Sequence, residues 1–230
     1  MTIGLTNCAR LVDEITYKKA AEAADLATQS AILGPFFRHD HPFRQKGDSI
    51  TFNTPDDAQV AYMHGVVRDA KTKKPLVGAT IDVWQASTNG LYEQQDENQV
   101  DHNLRGKFKT DENGEYAWYC LRPTPYPVPF DGPAGKILQL LDRHPYRPAH
   151  IHLIVMIEGY KPITTQIFDK DSKYLDDDSV FAVKDSLVVE FVPKKDDPKA
   201  QFELKYDLEM APMDDTSAKG TAIASSGASS

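Results

Sequence analysis

The chain has 230 residues, 40% of them apolar and 26% charged, which fits one large soluble domain or two small ones, with a core that needs no staples. A formal net charge of -8 argues against nucleic acid and anionic membrane as partners, and no apolar run approaches the length of a membrane span. The only cysteines, Cys8 and Cys120, make no disulfide framework, and no charged-then-apolar leader opens the chain, so a reducing, cytoplasmic setting is expected.

Residues from about Asn7 to Ser30 carry Leu11, Ile15, Ala20, Ala24 and Leu26 at roughly helical spacing, which predicts a helix that ends before Pro35. Phe36 to Asp57 reads as an irregular loop. Strands are expected over Val60 to Arg68 and Ala79 to Trp84, with a basic turn between them at Asp69 to Pro75. The second strand sets Ile81 and Val83 against Thr80, Asp82 and Trp84, the alternation of a half-buried strand. Gly106 to Thr110 and Tyr116 to Leu121 flank Asp111-Glu112-Asn113-Gly114, and Asn-Gly with its positive φ predicts a hairpin there. The proline-rich piece Pro123 to Pro133 excludes helix and central strand. A short helix over Lys136 to Leu141 and strands over His150 to Ile157, Ile163 to Phe168, Leu187 to Val192 and Phe202 to Leu208 complete the pattern. The expected fold is mainly β: a β-sandwich core of mixed sheets with a short N-terminal helical segment and long loops. The expected organisation is a partial N-terminal helical segment at 1–34, a catalytic sandwich at 35–210 and a disordered Ser/Ala/Gly tail at 211–230.

The chemistry concentrates in Arg147-Pro148-Ala149-His150-Ile151-His152. On a strand, His150 and His152 point the same way and can close on one metal ion. By itself, His-x-His on a strand is a weak signal. Cupins use it too, with a carboxylate downstream, but Glu158 lies slightly too far along and His152 is the last histidine of the chain. Tyr92 and Tyr126 sit in turn-rich segments that could hold a phenol out toward such a site. Two imidazoles with two phenolates suit a hard trivalent ion, ferric iron, far better than zinc or copper(I).

The joint pattern is far more specific. Gly90-Leu91-Tyr92, Pro125-Tyr126-Pro127-Val128-Pro129, Asp131-Gly132-Pro133, Arg143-His144 and the His150/His152 run occur in one order at compatible spacings. With these residues in view the chain resembles the intradiol ring-cleavage (catechol-type) dioxygenases, and is most like the hydroxyquinol 1,2-dioxygenase branch. The likeness runs from Ile32-Leu33-Gly34-Pro35-Phe36 through Val83-Trp84-Gln85-Ala86 and Asn103-Leu104-Arg105-Gly106 to Lys184-Asp185-Ser186-Leu187.

The resemblance implies one non-haem Fe(III) per chain, held by Tyr92, Tyr126, His150 and His152. It implies catalytic roles for Tyr126, Arg147 and Gln166. Tyr126 would leave the metal as the diol binds and take one of its protons, Arg147 would be a fixed cation beside the anionic ring, and Gln166 would position the reacting groups. Ile32, Pro35, Phe36, Pro127 and Val128 would shape the substrate slot. The expected partners are a small aromatic diol and O2. Both oxygen atoms would enter the product as the ring opens between adjacent hydroxyls, giving hydroxymuconate and then maleylacetate from hydroxyquinol. The alternative is cleavage of catechol or a substituted catechol to cis,cis-muconates. Members of the family also build a homodimer contact from a longer N-terminal helical region, which this sequence enters around Leu11-Val12-Asp13. His64, His102 and His144 match no ligand position and read as structural or surface residues. A rival from another class is a non-catalytic, transthyretin-like β-sandwich binding module, suggested by Gly65-Val66-Val67-Arg68-Asp69 followed by Pro75-Leu76-Val77-Gly78-Ala79; it has no need of the four ligands or Arg147.

Overall fold

The computed structural model describes residues 27–52 and 54–213. Most of the expected N-terminal helix, and all of the expected 211–230 tail except residues 211–213, lie outside the described residues; those three depart from the expected disorder, since Lys161 N donates to Ala211 O at 2.9 Å and Met213 N to Gly159 O at 2.8 Å. The strands are Val60–Asp69 (β1), Thr80–Trp84 (β2), Arg105–Lys109 (β3), Glu115–Leu121 (β4), Tyr126–Pro127 (β5), Tyr146–Arg147 (β6), His150–Met156 (β7), Ile163–Asp169 (β8), Val188–Val189 (β9), Val192–Pro193 (β10), Phe202–Lys205 (β11) and Leu208–Met210 (β12). The one α-helix among the described residues, α1, spans Pro133–Leu140, with Pro133 at its start, where a missing N–H costs nothing.

The architecture is the expected mainly β sandwich of mixed sheets. In the first sheet β4 runs antiparallel to β1 along one edge, while β11 and β12 run parallel to successive halves of its other edge. The second sheet has the order β3-β2-β7-β8-β9 and is antiparallel except for the last pair. The core lies between the sheets. Met63, Val67, Tyr116 and Trp118 from one sheet meet Ile81, Val83, Phe108, Ile151, Leu153, Val155 and Ile167 from the other. Burying each aliphatic side chain of this kind contributes about 1.5–3 kcal/mol.

Alternation then decides where the chemistry sits. Ile151, Leu153 and Val155 face the core, so His150 and His152 stand on the outer face of the second sheet. The same phase puts Asp82 and Trp84 of β2, Arg105 of β3 and Gln166 of β8 on that face. Register aligns Arg105, Trp84, His152 and Gln166 as one cross-strand row. This face is not solvated, contrary to the half-buried reading of β2. The segment around Phe36, Phe37 and His41 lies over it, leaving Asp82 and Trp84 no more than 1% exposed.

Other expectations are corrected. β3 and β4 do not form a hairpin: Gly114 has the positive φ of +72° and a tight turn follows Asp111, but β3 pairs with β2 and β4 with β1. The turn is a corner between sheets, because the apolar faces on either side of it pack against each other and do not lie side by side. The expected strand Leu187 to Val192 is two short pieces in different sheets. The expected strand Phe202 to Leu208 is interrupted at Tyr206 and Asp207 between β11 and β12. Residues 27–30 are not helical; Thr28 N donates to Glu209 O at 2.9 Å, and Ala31 N to Thr164 O at 2.9 Å, which holds this stretch along the sheet edges. Cys120 is free and fully buried.

Candidate metal centre

Three loops close over the outer face of the second sheet and bring the two tyrosines to the two histidines. Tyr92 follows a turn in which Gly90 N donates to Ser87 O and Ser87 N to Leu91 O, each at 2.9 Å. Gly90 has φ +79°, and a Cβ there would lie 2.9 Å from Tyr126 Cβ, so the turn needs glycine for both conformation and space. Tyr126 stands on the two-residue ladder of β5 with β6, directly opposite Arg147. Its prolyl neighbours explain why this ladder goes no further. Gly34, at φ +75°, approaches the histidines from the third loop; a Cβ there would sit 3.1 Å from His152 Cε1.

Four donor atoms form a closed ring. Tyr92 Oη lies 3.3 Å from Tyr126 Oη, Tyr126 Oη 3.5 Å from His150 Nε2, His150 Nε2 3.2 Å from His152 Nε2, and His152 Nε2 3.1 Å from Tyr92 Oη. All four side chains are buried, with Tyr126 the most exposed at 5%. Trp84 stacks on His152 with centroids 4.7 Å apart and 11° between the planes, and Phe36 stacks on Tyr92 at 4.4 Å.

His150 Nδ1 donates to Pro148 O at 2.7 Å, which leaves Nε2 as a lone pair aimed at the second imidazole. Burial pushes both imidazoles well below the ordinary histidine range, and the neighbouring Arg147 cation adds to this. Burial likewise pushes the Tyr92 phenol well up, with Tyr126 next to it adding to the effect. Without a metal, the two phenol hydroxyls and Arg147 Nη1 can donate to the imidazole Nε2 atoms, while His150 Nε2 and His152 Nε2 face each other at 3.2 Å. A cation with bonds of about 2.0–2.2 Å would see neighbouring ligands about 3.0–3.5 Å apart at angles near 90–110°, which is the spacing of the ring. Among the described residues, no group of three or more His, Cys, Asp or Glu side chains could hold a metal. The phenols are therefore what would complete a metal-binding set here, and they would favour a hard, highly charged ion.

Arg147 lies at the rim of the ring, 2% exposed. Its Nη1 reaches His150 Nε2 at 3.0 Å and its Nη2 donates to Gln166 Oε1 at 2.7 Å. Gln166 Nε2 donates to Ile32 O at 2.7 Å and lies 3.3 Å from His152 Nδ1. Of the expected slot residues, Phe36 covers Tyr92, while Ile32 and Val128 pack with Val180, Ala182 and Phe168 beside His150. Pro35 and Pro127 are exposed. His64, His102 and His144 pair with Glu203, Asp101 and Asp177, and none of them enters the ring.

Two parts of the centre escaped the sequence reading. Behind Tyr92, Asp82 accepts from His41 Nδ1, His41 Nε2 accepts from Arg105 Nη1 at 3.0 Å, and Arg105 Nε donates to Glu93 at 2.6 Å, all buried. The second is Asp178, buried against Arg147. A lone Asp82 within an alternating strand reads as solvent-facing, and Asp176-Asp177-Asp178 reads as a solvated charge run; neither spacing carries a signal of burial.

The chain is similar to known proteins. A family model described as Dioxygenase (Dioxygenase_C) matches residues 32–212. The chain is 54% identical over 201 residues to the intradiol ring-cleavage dioxygenase prcA of Aspergillus niger, covering 87% of this chain and 64% of that protein. It is 46% identical over 191 residues to the catechol 1,2-dioxygenase of Candida albicans, covering 80% of this chain and 62% of that one. The chain thus spans less than two thirds of the length of these relatives. The crystal structure of hydroxyquinol 1,2-dioxygenase from Pseudomonas putida DLL-E4 superposes with a TM-score of 0.76 at 35% identity, covering 85% of this chain and 71% of that one. The chain belongs to this dioxygenase family, that of the intradiol ring-cleavage enzymes.

Proposed function

We propose that this chain is an intradiol ring-cleaving dioxygenase that opens a vicinal aromatic diol between its hydroxyls and places both atoms of O2 in the product. The observation that carries the reading is the closed ring of Tyr92, Tyr126, His150 and His152 donor atoms with Arg147 at its edge. These four side chains would hold one non-haem ferric ion. That ion would supply a Lewis-acid site for the diol oxygens and draw charge from the ring so that it reacts with dioxygen.

The protein's own groups divide the remaining work. Tyr92 is the fixed ligand, its ring clamped by Phe36 and its backbone N–H held by Gln95 Oε1 at 3.2 Å. Tyr126 rests on a two-residue ladder between prolines and is the ligand free to give way. Once released, its Oη takes a proton from the incoming diol. Arg147 sets a permanent positive charge beside the anionic substrate in a water-poor site. Gln166 holds Arg147 through Oε1 and the slot backbone at Ile32 through Nε2.

Hydroxyquinol is the substrate favoured by the Tyr126-Pro127-Val128-Pro129 run. A second reading, catechol, is favoured by the apolar wall of Ile32, Val128, Val180 and Ala182 and by the name of the Candida albicans relative. The same reading takes the protein as cytoplasmic and active without membrane; no helix among the described residues is long and apolar enough to cross one.

Oxygen uptake with catechol, hydroxyquinol and protocatechuate, with each product identified by its ultraviolet spectrum, tests the proposal. Purified protein should be red-brown from phenolate-to-iron charge transfer, and Tyr92→Phe or Tyr126→Phe should weaken or shift that band. Cleavage beside the diol, or iron-free and colourless folded protein, would refute it.

A further inference from the structure

Arg147 is the most constrained cation of the centre, and a carboxylate that belongs to no ligand set constrains it. Asp178 Oδ1 accepts from Arg147 Nε at 3.2 Å, and Oδ2 accepts from Nη2 at 3.3 Å. The side chains are 3% and 2% exposed, so solvent barely screens the pair. The same two oxygens accept backbone N–H bonds, Oδ1 from Val180 at 3.2 Å and Oδ2 from Ala182 at 2.9 Å. Four donors therefore saturate the carboxylate. Val180 and Ala182 belong to the apolar cluster with Ile32 and Val128 beside His150.

We propose that Asp178 is a positioning residue that locks the Arg147 guanidinium in one orientation and ties it to the Val180–Ala182 wall of the substrate slot. Arginine presents its donors as a rigid planar fork, so two anchors fix the plane. Asp178 anchors the Nε and Nη2 side and Gln166 anchors Nη2, which leaves Nη1 directed at the donor ring. Because the carboxylate also holds the wall, a movement of Val180 or Ala182 is passed to the guanidinium.

This inference rests on the dioxygenase reading, and the experiment separates the two. The full chain, loaded with iron, is compared as wild type, Asp178→Asn, Asp178→Glu, Arg147→Ala and the Arg147→Ala/Asp178→Asn double variant. Asp178→Asn should keep iron and colour and lose kcat about 10- to 100-fold, the range for groups that orient a catalytic residue from behind, while KM changes far less. Asp178→Glu should recover part of the loss. Added guanidinium should restore turnover to Arg147→Ala but not to the double variant. In protein loaded with diamagnetic gallium(III), the Arg147 Nε–H proton should exchange slowly in wild type and fast in Asp178→Asn, a readout independent of turnover. If wild type oxidises no diol, the dioxygenase reading fails. If wild type is active and Asp178→Asn keeps kcat, or guanidinium rescues both Arg147→Ala backgrounds equally, the positioning role is overturned. Should Asp178→Asn not fold, an unchanged kcat and unchanged Nε–H exchange in Asp178→Glu would overturn it as well.

Discussion

Gly90→Ala should damage the proposed metal centre without replacing a ligand. Two effects act on this residue. Its φ of +79° lies in the left-handed region, where a Cβ costs about 1–2 kcal/mol. The new Cβ would also stand 2.9 Å from Tyr126 Cβ, where ordinary contact begins at 3.4 Å, so Tyr126 must retreat by about 0.5 Å, more than the roughly 0.2 Å tolerance of a metal–ligand bond. Gly78→Ala is the control. It has φ +76° and nothing within 4 Å of the added Cβ, so it carries the conformational cost alone. Both variants should lose about 2–8 °C in melting temperature, at about 2–4 °C per kcal/mol for a chain of this size. Only Gly90→Ala should lose iron or shift the charge-transfer band. Identical iron content and spectra in the two variants would show that Gly90 does not set the place of Tyr126.

Two further outcomes follow from burial. Burial pushes the Cys120 thiol up to about 12 from an ordinary value of 9.0. The folded state thus keeps a proton that the unfolded chain gives up, so this stability is present below about pH 9 and is lost as pH rises toward 12. Cys120→Ala should flatten the alkaline fall of a denaturant-midpoint profile; an unchanged slope would mean that the thiol ionises without unfolding. Stripping the iron with a reductant and chelator should lower the melting temperature, and ferric ion should restore it. A ligand at a hundred times its dissociation constant contributes about 2.7 kcal/mol. An unchanged melting temperature would contradict a centre that binds a cation.

How much of this was legible in the sequence varies element by element. β1, β2, β7 and β8 each carry a sustained period of two or a continuous β-branched run, and burial of such a face leaves the chain little choice. The body of α1 was legible from the helical spacing of Ile137, Leu138, Leu140 and Leu141, but its start was not: the sequence reading begins it at Lys136 and leaves Pro133 outside, whereas the helix begins at Pro133. The short strands β9 to β12 were not, because two to four residues hold too little pattern to show where a ladder breaks. The turn at Asn113-Gly114 showed its positive φ but not its partners, since a corner and a hairpin use the same local chemistry.

Once the family resemblance groups Tyr92, Tyr126, His150 and His152, their donor types suit a hard metal, and the phase of β7 sets both imidazoles on one side of a strand. That much is local, because donor hardness and side-chain alternation belong to the residues themselves. Only the tertiary structure decided that this side is covered and not solvated, that Asp82 and Arg105 are buried behind Tyr92, and that Asp178, 31 positions along the chain from Arg147, closes on its guanidinium. The reason is desolvation: a carboxylate has the same sequence signature in water and in a core, and its pairing becomes strong only where the fold removes the water around it.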